Sequence, residues 1–526
     1  MIPRFAIRVV LASLAGCGSV HGAEMLTDGQ ALVRTYCAGC HRESAPGQFE
    51  RITAIRKTPE GWVMTLFRMR QVHGLVLDAQ IRDALVRYLA NTNGLAPAEA
   101  SAGRFALERR PNAQDLEGSG DLKVMCGRCH SLARVALQRR DSGEWLKLVN
   151  MHVGQWPSLE YQASSRDRYW WQTATTQVPL ELGALYPLQT AAWHVWQARP
   201  HAALDGRWIV YGHTPGRGDY HGAATIRKRG LDEYTAAYQL TYREGTPLSG
   251  SSKAIVYTGY EWRGTATLGE ESVFEVFALS EDGLLLEGRW FLQDHNEIGG
   301  DWIAVRATGP PGVLAVLPRA LKSGATQRVT VVGRRLTGTV SFGAGTRARV
   351  LARDDSTITL EVAVLPGASD GYRSVSVGGT TLADAVVIYD RVDRVQVEPA
   401  YGIARLGGGK LAPVSAQFEA IGYLDFPAQT ADKKTEVRLG TLPATWTVLP
   451  YDASATRARD IQFAGHIAPT GRFDPAGAGT NPLRQFSGNN VGNLFVVASV
   501  QDGKNNVQGK SHLVVTVQRW NTPPIY

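Results

Sequence analysis

The chain has 526 residues, of which 44% are hydrophobic and 20% are charged, and its formal net charge is +8. This length exceeds a single hydrophobic core, because one domain takes roughly 100–200 residues. The apolar fraction excludes wholesale disorder, and the lack of long apolar runs excludes a protein with several membrane spans. No run of consecutive Lys or Arg is long enough to form a polybasic arm, which excludes a nucleic-acid-binding arm of that kind. We therefore expect a globular protein of several domains that binds no nucleic acid.

Residues 1–23 have the layout of a secretory signal peptide. Two arginines precede the apolar stretch from Val9 to Ala15, and small residues follow. Two processing routes stay open: cleavage beside Ala23 would release the protein, whereas the four residues that end at Cys17 resemble the lipobox of bacterial lipoproteins. Both routes predict export, so we expect a periplasmic protein that is anchored at Cys17 if the second route is used.

Four of the five cysteines lie in two C-x-x-C-H motifs, the signature of covalent haem c attachment. The two thiols reach the vinyl groups of a porphyrin, and the following histidine binds the iron as its proximal ligand. A zinc ribbon also uses two cysteine pairs, but its linker of about 15–20 residues is far shorter than the one here. We therefore predict two covalently bound haems c. The predicted anchors are Cys37, Cys40, Cys126 and Cys129, and the predicted proximal ligands are His41 and His130.

A weak repeat follows the two motifs, because residues 58–69 align without gaps with residues 141–152. Each segment begins with a residue that favours the N-cap of a helix, Thr58 or Asp141, and an acidic residue follows in the first turn. Pro59 at the first helical position supports the first helix further. The spacing therefore predicts two equivalent helices.

The repeat also predicts the sixth ligands of the two irons. One face of each helix carries residues at positions i, i+4 and i+7. These are Trp62, Leu66 and Met69 in the first helix, and Trp145, Val149 and His152 in the second. We expect Met69 to ligate the first haem iron, His152 to ligate the second, and both tryptophans to pack on the haems.

Other residues compete for the same role. Met64 and His73 lie near the first predicted ligand, and Met151 lies beside the second. The main alternative assignment pairs His73 with Met151. Because thioether ligation raises the potential of a haem, one His/Met iron and one bis-His iron would have different potentials, as in an electron relay.

Helical periodicity fades after about Trp171, and alternating strand-like runs with glycine- and proline-rich turns take over. The expected fold is an N-terminal all-α dihaem cytochrome c domain followed by all-β domains, namely an antiparallel barrel and two immunoglobulin-like sandwiches. The predicted boundaries are 1–23 for the signal peptide, 24–180 for the dihaem domain with halves 24–98 and 99–180, 185–308 for the barrel, and 309–392 and 393–526 for the sandwiches.

The β region offers one further candidate site. His213 and His221 flank a glycine-rich turn that also contains Asp219, so a metal site there is one hypothesis. Histidines in loops are more often simply solvated, and that interpretation is preferred. No catalytic constellation is recognised anywhere in the chain, and no catalytic residue is predicted.

The two C-x-x-C-H motifs, the helices that end at Met69 and His152, and the order of the modules together resemble the α subunit of quinohemoprotein amine dehydrogenase. The resemblance covers nearly the whole chain. It implies a heterotrimer in which a β-propeller subunit and a small subunit join this chain, with a cysteine tryptophylquinone on the small subunit. This chain would then pass electrons from oxidative deamination of primary amines through its two haems to a periplasmic copper protein (cupredoxin) or cytochrome c. The amine-oxidising residues would lie on another subunit, which agrees with the lack of a spare cysteine here.

Two rival functions stay open. A dihaem cytochrome c peroxidase would need a vacant or displaceable sixth position on one iron, and a long β extension is not expected there. A stand-alone envelope redox module would use its β domains for docking and would purify without companion chains.

Overall fold

The structure is a computed structural model that describes residues 28–104, 115–127, 130–156, 159, 168–409, 411–426, 435–486 and 488–518. The predicted signal peptide with Cys17 lies outside the described residues, and so does Cys129. The described residues of 28–95 and 137–194 form one compact unit, and those of 96–136 and 195–518 form a second. No helix in the described ranges is long and apolar enough to cross a membrane.

The N-terminal part is helical, as predicted. Its helices are α1 Gly29–Cys37, α2 Pro59–His73, α3 Ala79–Thr92, α4 Pro97–Ala100, α5 Gly120–Met125, α6 Ala133–Ala136, α7 Ser142–Gln155, α8 Trp170–Thr176, α9 Val178–Leu185 and α10 Ala191–Ala198. Helix α3 packs against α1 and α2, and α7 packs against α8 and α9. The buried face of α3 carries Leu85, Val86 and Leu89 at helical spacing, which explains why it forms the centre of its group.

Two small ladders interrupt the helices, so the prediction of an all-α region is corrected in this detail. Strands β1 Glu43–Ala45 and β2 Gln48–Phe49 form a hairpin, and β3 Arg56–Lys57 pairs with β4 Gln138–Arg139 in antiparallel register. The second ladder joins two segments that lie shortly before the two repeated helices. Each strand has only two residues, which is too short to give a periodic pattern in the sequence.

The helical region also extends beyond Trp171, where strand-like sequence was expected to begin. Helix α10 carries Trp193 and Trp196, which are both buried. Tryptophans three residues apart lie on one face of a helix, whereas the same aromatic content also favours strands. The aromatic composition was therefore misread as the start of the β region.

An eight-stranded closed barrel follows. Its strands are β5 Gly206–Thr214, β6 Gly218–Lys228, β7 Glu233–Tyr242, β8 Gly250–Tyr257, β9 Glu261–Leu268, β10 Glu271–Leu279, β11 Leu285–Leu292 and β12 Gly299–Arg306. Every neighbouring pair is antiparallel, and β12 closes the barrel on β5. Alternate residues point inward, and aromatic rings such as Trp262, Phe277 and Trp302 fill the centre with Phe277 stacked on Trp302 at 5.0 Å between ring centres. The predicted barrel is confirmed.

Two four-stranded sheets come next and share one core of valine, isoleucine and leucine side chains. Their strands are β13 Gly312–Leu317, β14 Ala320–Lys322, β15 Thr326–Arg334, β16 Val340–Ser341, β17 Thr346–Arg353, β18 Thr357–Val364, β19 Gly371–Val377 and β20 Thr380–Tyr389. One sheet has the order β13-β15-β18-β17 and the other β14-β20-β19-β16. The strict alternation of buried and half-buried residues along β18 shows why this strand lies in the middle of a packed sheet.

The last module is built around a second shared core. Its elements are β21 Arg394–Glu398, β22 Tyr401–Arg405, β23 Ala416–Gln417, β24 Glu419–Phe426, β25 Thr435–Thr441, β26 Thr445–Pro450, α11 Ala453–Arg457, α12 Asp460–Phe463, β27 Gly465–Ile467, β28 Arg472–Pro475, β29 Gly492–Asp502 and β30 Asn505–Thr516. The sheets have the orders β21-β24-β25, β22-β30-β29-β26 and β23-β28-β27.

Two strand pairs depart from the expected antiparallel arrangement. Strand β14 runs parallel to β20, and β22 runs parallel to β30. In both modules the chain leaves its first strand in one sheet and crosses to the other sheet after a short connection. The strand after this connection continues in the direction of the first strand. It therefore joins the second sheet in parallel, beside the last strand of the module.

Candidate haem-binding sites

The first C-x-x-C-H motif begins at the last residue of α1. The backbone N–H groups of Cys40 and His41 both donate to the carbonyl oxygen of Cys37, at 3.1 and 2.9 Å. This tight turn follows from the end of the helix, where carbonyl groups lack helical partners. Cys37 is half-buried and Cys40 is exposed, and both are free thiols. Burial, with a smaller effect of Cys40, raises the pKa of Cys37 to about 11, so its sulfur is a neutral thiol at pH 7.

The imidazole of His41 has a defined tautomer. Its Nδ1 donates a hydrogen bond of 3.0 Å to the carbonyl oxygen of Glu50, because a carbonyl can only accept. The lone pair of the neutral ring is therefore on Nε2. A histidine that binds iron uses this arrangement, since a hydrogen bond from the other nitrogen orients the ring.

In the second motif Arg128 and Cys129 lie outside the described residues, but its two ends resemble those of the first. Helix α5 ends immediately before Cys126, whose N–H donates to the carbonyl of Leu122 at 2.9 Å. The Nδ1 atom of His130 donates to the carbonyl oxygen of Ser131 at 2.9 Å, which again places the lone pair on Nε2. The carboxylate of Asp115 accepts from the N–H of Leu132 at 2.7 Å and thereby holds the chain that follows the histidine.

The two repeated helices begin where the sequence predicts. The Thr58 side chain accepts from the N–H of Gly61 at 3.3 Å, and the Asp141 side chain accepts from the N–H of Glu144 at 2.7 Å. These bonds satisfy N–H groups that the first turn of a helix leaves without helical partners. The predicted starts of α2 and α7 are confirmed.

The predicted iron ligands on these helices differ in exposure. Met69 and His152 are half-buried, as are the alternatives Met64 and Met151, whereas His73 is exposed at the end of α2. The Nδ1 atom of His152 donates 2.8 Å to the carbonyl oxygen of Leu148, so its lone pair is also on Nε2. The choice among these ligands stays a prediction.

The imidazole of His152 is held in its neutral form. Burial lowers its pKa, the hydrogen bond to Leu148 acts in the opposite direction, and the positive charges of Arg68 and Arg140 lower the pKa further. A neutral imidazole is the form that binds a metal ion.

The predicted haem-packing tryptophans are both deeply buried, Trp62 at 2% exposure and Trp145 at 1%. A cation lies over each ring at 5.6 Å from the ring centre: Lys57 over Trp62 and Arg140 over Trp145. Each cation is the residue before the N-cap of its helix, so the repeat extends to the last residue of β3 and to the residue that follows β4. Whether the rings contact haem stays a prediction. Sequence analysis did not find Lys57 and Arg140, because a basic residue before a helix gives no signal of its burial.

The described residues fit a covalently bound haem. Each motif supplies a half-buried histidine whose tautomer places the lone pair on Nε2, and the first motif supplies two free thiols. The buried Nε1–H of Trp145 also lacks an acceptor among the described residues, as expected of a group whose acceptor belongs to a bound molecule.

The structure does not support a metal site at His213. Its Nδ1 lies 2.7 Å from Asp219 and its Nε2 lies 2.7 Å from Glu419. Burial opposes the charge on this ring, but the two carboxylates outweigh burial and raise the pKa of His213 to about 10. An imidazolium with both nitrogens protonated cannot bind a metal. Across the described residues, no group of three or more His, Cys, Asp or Glu residues could hold a metal ion, so His221 joins no such site. Glu419 was missed because it is 206 residues away in sequence.

Four family models match successive parts of the chain. The model for the haem-binding part of quinohemoprotein amine dehydrogenase A, alpha subunit, matches residues 27–193. Models for domains II, III and IV of the same alpha subunit match residues 201–307, 310–390 and 395–525. A comparison with curated proteins finds no match.

Solved structures match only parts of the chain. A redesigned β-barrel, mFAP1, bound to DFHBI is 18% identical, with a TM-score of 0.17, and the match covers 19% of this chain and 91% of the barrel. The structure of mouse clustered PcdhgC3 EC1-3 is 12% identical, with a TM-score of 0.16, and the match covers 47% of this chain and 83% of that one.

Proposed function

Because the chain belongs to the family of quinohemoprotein amine dehydrogenase alpha subunits, we propose that it is the dihaem electron-transfer subunit of such an enzyme. The observation that carries the proposal is the shared design of the two C-x-x-C-H motifs. The first motif begins at the last residue of a helix and the second directly follows a helix, and the Nδ1 of each histidine donates to a backbone carbonyl. Two motifs of similar construction support the proposal of two covalently held haems c.

The residues of this chain would hold and tune the haems. Cys37, Cys40, Cys126 and Cys129 would form the thioether bonds, and His41 and His130 would bind the irons through Nε2. Met69 and His152 would supply the sixth ligands. Bound haem supplies one-electron chemistry, since its iron accepts and releases single electrons.

The electrons would come from a cysteine tryptophylquinone on a small partner subunit, reduced during oxidative deamination of a primary amine. They would leave to an external copper protein or cytochrome c. Four of the five cysteines belong to the two C-x-x-C-H motifs and Cys17 lies in the predicted signal peptide. If those four hold the haems, no cysteine of this chain is available for the quinone. The enzyme would be a periplasmic heterotrimer with a β-propeller subunit, and the barrel and the two proposed immunoglobulin-like sandwiches would serve as its scaffold.

The test is made on the complex purified from the periplasm of its native host. The chains are denatured and separated, and parallel gels are stained for covalent haem and for protein-bound quinone. We expect haem on this chain, two haems by mass spectrometry, and quinone on a small companion chain. A solitary haem-bearing chain would contradict the dehydrogenase and favour a stand-alone redox module. A chain without covalent haem would contradict the electron-transfer role altogether.

A further inference from the structure

Helix α7 begins beside a basic cluster that the two haem motifs do not explain; two of its members are deeply buried, one is half-buried and one is exposed. We define this basic cluster as Arg51, Lys57, Arg68 and Arg140. Lys57 is 3% exposed and Arg140 is 2% exposed. Burial lowers the pKa of Lys57 well below the usual value, and the positive charges of Arg140, Arg68 and Arg51 lower it further. Positive charges buried together are costly unless anions accompany them.

The carboxylates nearby only partly compensate the basic cluster. Glu144 is buried and lies 3.5 Å from Arg51 and 3.9 Å from Arg140, but it also forms an ion pair of 2.6 Å with Lys147. Asp141 contributes a weaker negative charge at Arg140 and is exposed, with its side chain capping α7. The cluster therefore retains an excess of positive charge.

The internal repeat shows which hydrogen bonds of the first copy have no counterpart in the second. In the first copy, Lys57 donates 2.7 Å to the hydroxyl of Thr65, and the Trp62 indole donates 3.1 Å to the carbonyl of Asn93. In the second copy the position of Thr65 is occupied by Leu148, which has no hydroxyl group.

The buried Nε1 of Trp145 and the buried Nε of Arg140 have no hydrogen-bond partner among the described residues. Another nitrogen of the Arg140 guanidinium, Nη2, donates 3.1 Å to Oε1 of Gln138. The buried Nε of Arg140 and the buried indole N–H of Trp145 are left short of an acceptor, and together they form a site for a carboxylate.

We propose that Arg140 and Trp145 bind a propionate carboxylate of the haem that lies beside α7, and that the charge of Arg68 adds to the positive field around it. This inference rests on the proposed function, because it requires a bound haem. Each haem carries two propionates, so one haem would supply the anions that the basic cluster lacks. The propionate would accept from Arg140 Nε and from Trp145 Nε1.

The consequence is electrochemical. A positive charge beside a haem favours the reduced iron, because reduction removes one positive charge from the iron. The same charge lowers the pKa of the propionate, so the potential depends on pH only at low pH. Without Arg140 the potential of this haem falls, and its pH dependence begins at a higher pH.

The test is a spectroelectrochemical titration of the purified holo-complex over a range of pH. Arg140→Gln should lower the midpoint potential of one of the two haems and move its pH dependence upward, while the other haem is unchanged. Trp145→Phe removes the indole N–H but retains an aromatic ring and every charge. It should therefore move the pH dependence in the same direction, with a smaller fall in potential. Arg139→Gln is the matched control, because Arg139 is the buried neighbour of Arg140, at the end of β4, and its charge acts on Tyr186.

Two outcomes overturn the inference. One is an Arg140→Gln complex that carries both haems with unchanged potentials and unchanged pH dependence. The other is an equal effect of Arg139→Gln, which would indicate general destabilisation. If the Arg140→Gln protein does not accumulate, the Trp145→Phe complex provides the test. An unchanged pH dependence of both haem potentials in that complex overturns the proposal. Haem staining separates these results from failure of the proposed function, in which the chain carries no haem.

Discussion

The Nδ1 atom of His152 donates a hydrogen bond of 2.8 Å to the carbonyl oxygen of Leu148, one turn earlier on the same helix. A helix that orients an imidazole through its own backbone needs no second element to do so. The lone pair of Nε2 is then fixed relative to the axis of α7.

The first prediction concerns the axial ligands. His152→Met should convert one iron from two histidine ligands to histidine and methionine, and its potential should rise. Met69→His should do the opposite to the other iron. The near-infrared magnetic circular dichroism spectrum reports the ligand pair, and potentiometry reports the potential.

His73→Gln and Met151→Leu serve as controls for this assignment and should leave both spectra unchanged. If these two variants alter the ligands while the first two do not, the alternative pairing of His73 and Met151 is correct.

The second prediction concerns the N-cap of α7. Asp141→Ala removes the acceptor for the Glu144 N–H and should cost about 1 kcal/mol of local stability. Hydrogen exchange of the amides in the first turn of α7 should accelerate by the factor that corresponds to this loss of local stability. Asp141→Asn keeps an oxygen acceptor and should exchange nearly as slowly as the parent chain; equal acceleration in both variants would show that charge, and not capping, holds the helix start.

The third prediction concerns pH and the bridge from His213 to Glu419. Because the pKa of His213 is raised to about 10 from an ordinary value of 6.5, the bridge stabilises the fold fully below pH 6.5. Its contribution should decline as the pH rises above 6.5 and be lost above about 10, since the unfolded chain releases this proton first. Chemical unfolding at several pH values measures the decline.

His213→Gln should remove this pH-dependent contribution, whereas His466→Gln, at an exposed histidine of the last module, should retain it. A His213→Gln protein whose stability falls over the same pH window as the parent would contradict the assignment.

The fourth prediction concerns packing inside the barrel. A Cβ added at Gly264 would lie 2.3 Å from Oε2 of Glu275 and 2.8 Å from Nε1 of Trp262. That oxygen accepts from Ser252 at 2.6 Å and from Trp262 at 2.9 Å, so the added methyl group would disrupt a buried network. Gly264→Ala should therefore lower the free energy of unfolding by roughly 1–3 kcal/mol.

Gly312→Ala is the control for this change, because an added Cβ there meets no atom within 4 Å. Calorimetry of both variants provides the comparison. Equal thermal stability of Gly264→Ala and the parent protein would mean that the barrel interior relaxes around the methyl group.

Local signals in the sequence were sufficient for some elements. The N-caps at Thr58 and Asp141 are determined by bonds that span three residues, so the starts of α2 and α7 could be predicted. The alternating pattern likewise predicted the barrel, because every second residue of each strand points into the barrel.

Features that depend on distant contacts could not be predicted in this way. Glu419 meets His213 across 206 residues, and Lys57 is buried because β3 pairs with β4. Neither relationship leaves a periodic pattern in the sequence. The repeat does contain a signal for these two basic residues, since Lys57 and Arg140 occupy equivalent positions. Both lie one residue before the aligned segments, so the alignment of the helices did not include them.

Anaerobic addition of a primary amine to the purified oxidised complex, with the absorbance of both haems followed, decides whether this chain receives electrons from amine oxidation. We predict that amine alone reduces both haems on this chain, and that a copper protein or cytochrome c then reoxidises them. Haems that stay oxidised with a series of primary amines, yet are reduced at once by dithionite, would contradict it.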